Sequence, residues 1–211
     1  MNALELLQQS PVMPVIVIND LDTAADLARA LVAGGVRSLE ITLRSEFALQ
    51  AITLISTEVP EALVGVGTVR GAQQLEAAIE AGARFGVSPG LTPDIAQAAR
   101  DAGLPFLPGV ATPSEAMYAA DQGFTVQKLF PASAVGGISL LKALYGPLPD
   151  IVFCPTGGIN ASNARDYLDQ PNVACVGGSW LTPATAVAAT DWGVITTLAR
   201  QACELARPQA R

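Results

Sequence analysis

An α/β fold, a single (β/α)8 TIM barrel with an extra N-terminal helix, is what the sequence predicts, on three observations. Strand-like runs alternate with Ala- and Leu-rich helical segments along the whole chain. A glycine recurs between the end of a helical segment and the next strand, at Gly34-Gly35, Gly82, Gly103 and Gly123. The spacing of these units is that of a βα repeat, and 211 residues hold about eight of them. A doubly wound open sheet is the alternative, weakened by the lack of a GxGxxG after the first strand. With no linker, low-complexity stretch or charge run in view, one domain over residues 1–211 is expected.

The elements follow in order. The opening "MNALELLQQS" reads as a short helix. It lacks a basic n-region and a long apolar h-region, so no signal peptide is expected. Strand-like runs are "VMPVIVI" (12–18), "VRSLEITL" (36–43), "ALVGVG" (62–67), "RFGVS" (84–88), "PFLPGV" (105–110), "FTVQKLF" (124–130), "IVFCP" (151–155) and "VACVGG" (173–178). β-Branched and aromatic residues favour these as strands. Helical segments such as "TAADLARALVAGG", "AQQLEAAIEAG" and "SEAMYAADQG" lie between them. Parallel strands need such crossovers, and glycine past a helix end supplies its left-handed cap.

Composition narrows the function. Half of the residues are hydrophobic, 15% are charged and the formal net charge is -7, a globular composition. No basic cluster interleaves with aromatics, so nucleic acid is not an expected partner. No apolar run is long enough to span a bilayer, and three cysteines without a pairing pattern fit a reduced cytoplasmic setting. Cys154 and Cys175 lie in apolar strand-like runs and read as small buried hydrophobes. The chain has no histidine. That excludes Ser-His-Asp and Cys-His nucleophile systems, and the usual histidine zinc sites. No metal site and no cofactor are expected. Acid–base chemistry must come from carboxylates, lysine, tyrosine, cysteine or water.

Two side chains stand out. In "VRSLEITLR" alternation places Leu39, Ile41 and Leu43 on one face and Ser38, Glu40, Thr42 and Arg44 on the other. The apolar face should pack on helices, and the polar face should point inward towards the C-terminal mouth, where barrel enzymes keep their chemistry. Glu40 is thus an acid in a strand interior. Lys128, in "FTVQKLF", is its counterpart; the other lysine, Lys142, falls in the helical "SLLKALYG". A buried ion pair that merely satisfies itself is one reading. The other is a Schiff-base lysine with a carboxylate acid–base partner, for which burial helps because it disfavours the charged form of an amine.

Glycine pairs end the last two strands. "CPTGGIN" and "VGGSW" place Gly157-Gly158 and Gly177-Gly178 where barrels commonly bind phosphate. Glycine lets backbone N–H groups approach an anion. Thr156 and Ser179 add hydroxyls there. Thr68, at the end of "GVGTV", is a further hydroxyl at the mouth, and Arg44 can fork onto a substrate carboxylate or be a plain surface residue.

Taken together, "EITLR", "GVGTV", "SPGLT", "PGVATPSEA", "KLFPA", "CPTGGI" and "GGSWL" resemble, in order and over nearly the whole chain, the 2-keto-3-deoxy-6-phosphogluconate (KDPG) aldolase family, which includes 4-hydroxy-2-oxoglutarate aldolase. The resemblance implies a class I aldolase on a (β/α)8 barrel, usually a homotrimer. It would split a phosphorylated 2-oxo acid, KDPG, into pyruvate and glyceraldehyde 3-phosphate in the Entner–Doudoroff pathway. By that resemblance Lys128 is the Schiff-base residue and Glu40 the acid–base residue. Arg44 and Thr68 hold the carboxylate, and Gly157, Gly158 and Ser179 hold the phosphate with Thr156 close by. Two departures are visible. Some relatives carry arginine at the end of the first strand, where this chain reads Ile18-Asn19; some carry glutamate after "FPA", where this chain has Ser133. The rival readings are an aldolase for the galactonate epimer, a noncovalent phosphosugar-binding barrel enzyme such as an epimerase or decarboxylase, and a noncatalytic phosphosugar-binding protein.

Overall fold

A computed structural model of the chain describes residues 1–205. The strands are β1 (Val12–Ile16), β2 (Ser38–Thr42), β3 (Leu63–Gly67), β4 (Gly86–Val87), β5 (Phe106–Leu107), β6 (Gly109–Val110), β7 (Val126–Leu129), β8 (Val152–Phe153) and β9 (Val176–Gly178). Every expected run contains a strand, shorter at its ends. The run 105–110 is the exception in form: it is split into β5 and β6 at Pro108. Proline has no N–H to give the ladder, but the Pro108 carbonyl still accepts from Lys128 N at 2.9 Å.

All strand pairs are parallel. One sheet has the order β5-β4-β3-β2-β1-β9, and a second has β6-β7-β8. β5 and β6 are consecutive pieces of one run, and parallel bridges Phe153↔Val173 and Thr156↔Gly177 link the β8 segment to the β9 segment. The class is therefore α/β, as expected, with helices between successive strands.

The helices are α1 (Ala3–Leu7), α2 (Ala24–Ala33), α3 (Ala48–Glu58), α4 (Ala72–Glu80), α5 (Pro93–Ala102), α6 (Pro113–Asp121), α7 (Gly137–Tyr145), α8 (Ala164–Leu168), α9 (Ala184–Ala188) and α10 (Trp192–Cys203). Their ends obey local rules. Thr112 and Glu115 form a reciprocal capping box at α6, with proline in the first turn. Of the glycines picked out as punctuation, Gly35, Gly82, Gly103 and Gly123 turn left-handed, with φ of 98°, 105°, 62° and 94°, whereas Gly34 keeps the right-handed helical conformation at φ −81°.

Strand alternation sorts the core into two clusters. Leu39, Ile41, Val64, Val66, Leu129 and Val176 face the helices in the larger one. The opposite face of the strands forms a second cluster in which Met13, Phe85, Val87, Leu107, Val126, Cys154 and Cys175 meet Leu6 and Leu7 of α1. Ala3 and Leu4 of α1 share a pocket with Pro105, Thr125 and Asp150, which stand just before β5, β7 and β8, so α1 seals the end opposite the strand C-termini. Its two leucines are 1% and 0% exposed. Burying each contributes about 1.5–3 kcal/mol, which explains why a five-residue helix holds its place.

Candidate active site

Lys128 and Glu40 meet. The Lys128 Nζ donates to Glu40 Oε1 at 3.3 Å, with side chains 7% and 2% exposed. The strands dictate this. Glu40 is held by pairs to Val15 on β1 and Gly65 on β3, and Lys128 by its pair to Gly109 on β6. Both side chains turn away from the helices. The Phe130 ring lies beside the ammonium, with its centroid 5.1 Å from Nζ. The sequence reading treated Phe130 only as a strand residue; its place two positions after Lys128, on the same face, was the available signal.

The pair is accommodated by small neighbours. A Cβ on Gly67 would overlap the Glu40 carboxylate, and one on Gly109 would overlap the Pro89 carbonyl. Gly67 sits in the β3 register opposite Thr42. Thr42 donates to Ile16 O at 2.8 Å and accepts from Arg44 Nε at 3.2 Å. Arg44 is thereby aimed by the same strand face that carries Glu40. Thr68, directly after Gly67, is a non-glycine residue at φ 63°. Such a conformation costs about 1–3 kcal/mol and clusters at functional sites.

Arg44 and Ser179 line one cavity of about 840 Å³, together with Asn19, Asp20, Thr23 and Thr182. Lys128 and Glu40 are not in its walls. They lie more deeply buried, whereas Arg44 and Ser179 are exposed. The β1–α2 turn that brings Asn19 and Asp20 here carries no motif, and its only advance signal was the departure at Ile18-Asn19.

The two glycine pairs behave differently. Gly157 and Gly158 are left-handed, at φ 104° and 74°. Among the described residues, the N–H groups of Gly157, Gly158 and Ser179 donate no hydrogen bond. They remain available to an anion. Gly177 and Gly178 are buried in β9 instead, which corrects the expectation of a second open turn. The Gly177 N–H is committed to Pro155 O at 2.8 Å. The missing side chains there make room for Thr156 and for the Trp180 ring. Thr156 is 6% exposed, and its hydroxyl points to Cys154 O at 3.4 Å.

Thiol chemistry has no support here. Burial pushes the Cys175 thiol well up, with the adjacent Cys154 adding to the effect. Burial also raises Cys203, against a hydrogen bond from Ser10. Cys154 and Cys175 are 3% and 1% exposed, in keeping with small core residues. Among the described residues no group of three or more His, Cys, Asp or Glu is placed to hold a metal ion, and no helix is long and apolar enough to cross a membrane.

Residues 4–198 match the model of the aldolase family described as KDPG and KHG aldolase. The chain belongs to that family. It is 52% identical over 198 residues to a Pseudoalteromonas atlantica protein named 2-dehydro-3-deoxy-phosphogluconate aldolase, covering 94% of this chain and 92% of that one. It is 52% identical over 206 residues to the KHG/KDPG aldolase of Escherichia coli (strain K12), covering 98% and 97%. A solved KDPG aldolase from Legionella pneumophila, holding pyruvate as a covalent carbinolamine intermediate, superposes with a TM-score of 0.94 at 45% identity, over 96% of this chain and 98% of that one. This KDPG and KHG aldolase family member thus presents its paired lysine and carboxylate on a fold shared with a protein that forms a covalent adduct.

Proposed function

We propose that the protein is a Schiff-base aldolase that cleaves 2-dehydro-3-deoxy-6-phosphogluconate to pyruvate and glyceraldehyde 3-phosphate, with 4-hydroxy-2-oxoglutarate as a second substrate. The observation that carries this reading is the buried contact of Lys128 Nζ with Glu40 Oε1 at 3.3 Å. A proton passing from Lys128 to Glu40 leaves a neutral amine, the only form that attacks a ketone. Attack at the substrate's second carbon gives a carbinolamine; protonated Glu40 then gives its proton to the departing hydroxyl, which leaves as water, so that an iminium forms and Glu40 is a carboxylate again. The iminium nitrogen is the electron sink for the bond between the third and fourth carbons. Glu40, as carboxylate, takes the proton of the fourth-carbon hydroxyl while that bond breaks. The aldehyde leaves, the enamine is protonated at its third carbon, and water releases pyruvate.

In this reading Arg44 and Thr68 hold the carboxylate end. Gly157, Gly158 and Ser179 hold the phosphate end, with Thr156 close by. The iminium makes a metal unnecessary, so turnover should persist in a strong chelator. The strand pairs support a single closed (β/α)8 barrel with α1 as an additional helix, because each strand has a parallel neighbour on both sides once β5 and β6 are taken as one run. One aldolase domain over 1–211 follows, of which residues 206–211 lie outside the described residues. The resemblance extends the reading to a cytoplasmic homotrimer without cofactor.

The test is reduction with borohydride in the presence of pyruvate, followed by mapping of the adduct. Pyruvate should be fixed on Lys128 and not on Lys142, and Lys128→Arg should abolish trapping and cleavage while the protein stays folded. Trapping at Lys142, or an active arginine variant, sinks the mechanism. Turnover compared on the gluconate and galactonate epimers should favour the gluconate.

A further inference from the structure

The loop that leaves β7 is laced to the glycine turn that leaves β8. Ala132 N donates to Thr156 O at 2.8 Å, and Ser133 N donates to Gly157 O at 3.1 Å. These bonds carry the β7–β8 pairing past the ends of both strands. Packing across the join is tight. A Cβ on Gly157 would press on Pro131 and Ala132 at 3.2–3.4 Å, and a Cβ on Gly158 would overlap the Ser133 Oγ. The Ser133 hydroxyl therefore occupies the place of the side chain that Gly158 lacks. Ser133 is exposed, and among the described residues its hydroxyl makes no hydrogen bond. It stands beside N–H groups of Gly157 and Gly158 that are equally unengaged.

We propose that Ser133 is a specificity residue of the phosphate end, its hydroxyl donating to a phosphate oxygen alongside the Gly157 and Gly158 N–H groups. The proposal rests on the aldolase reading above. Its physical content is that a neutral donor adds one charge-assisted hydrogen bond to a phosphate dianion without adding charge to an acidic protein. The same loop begins three residues after Lys128. The strand that carries the covalent bond would then also supply a contact to the far end of the substrate, fixing the distance between the two.

The experiment uses Ser133→Ala in the full chain. Loss of one hydrogen bond to a charged group is worth about tenfold at an exposed site. KM for the phosphorylated substrate should rise about tenfold with kcat within twofold. KM for 4-hydroxy-2-oxoglutarate and trapping of pyruvate on Lys128 should not change. Inorganic phosphate, followed by calorimetry, should bind the variant about tenfold more weakly than the wild type. An unchanged KM and an unchanged phosphate affinity overturn the proposal, as do equal KM changes for both substrates, which would make Ser133 a support of the turn only. A wild type that traps no pyruvate defeats the aldolase reading itself. A wild type that traps pyruvate but binds no phosphate defeats only this proposal.

Discussion

Gly67 lies against the Glu40 carboxylate so closely that a single methyl group at 67 would displace it. An added Cβ would overlap Oε1 and come within 2.6 Å of Cγ and 2.8 Å of Cδ. Gly67 lies in extended backbone on β3, so the constraint is steric and not conformational. Gly67→Ala should push the carboxylate away from Lys128, and positioned acid–base groups are worth about 10²–10⁴ in rate. We expect kcat to fall at least tenfold with a smaller change in KM. A kcat within twofold of wild type would show that Glu40 works from a second position.

Glu40→Gln keeps the shape of the side chain and removes its proton chemistry. The covalent pyruvate adduct should still form, more slowly, while cleavage drops by about 10²–10⁴. Single-turnover measurements separate the two steps. Undiminished cleavage would reduce Glu40 to a structural partner of Lys128.

Ser179 lines the cavity that Arg44 also lines. Ser179→Asp sets a negative charge beside the phosphate end. KM for the phosphorylated substrate should rise more than tenfold, and much less for a nonphosphorylated 2-oxo acid. Equal effects on both would move the phosphate end elsewhere.

Leu7 is fully buried in the cluster that α1 seals. Leu7→Ala should destabilise the fold by about 2–5 kcal/mol, read from denaturant unfolding. Pyruvate trapping on Lys128 should survive in the folded variant, because the substrate end of the strands is untouched. A stable variant would mean that α1 is dispensable for the core.

Much of this was legible in the chain itself. The alternation of Leu39 and Ile41 with Ser38 and Glu40 is a period-2 pattern, and the strand turned it into one apolar and one enclosed polar face. The glycine caps were legible because left-handed backbone restricts the residue type. Gly177 and Gly178 were misread because a glycine pair looks the same whether it opens a turn or admits a neighbour. The deciding contacts come from Thr156 and Trp180, and Thr156 reaches Gly177 only through a bridge between separate segments. Pro108 stands in the sequence, yet the run 105–110 reads there as one strand; its division into β5, paired with β4, and β6, paired with β7, is seen only in the assembled sheets.

The sequence by itself determined that strands and helices alternate, that histidine chemistry is absent and that one strand acid and one strand lysine needed an explanation. Those facts are local or compositional, and local patterns encode them. Only the tertiary structure decided that the acid and the lysine are each other's partner across 88 residues. It also decided that Ser133 rests on the Gly158 turn and that Gly67 clears space for Glu40. These are relations between strands. They depend on register and on the distance across the enclosed face of the sheet, which follow from the packing of the whole chain and leave no mark on any one segment.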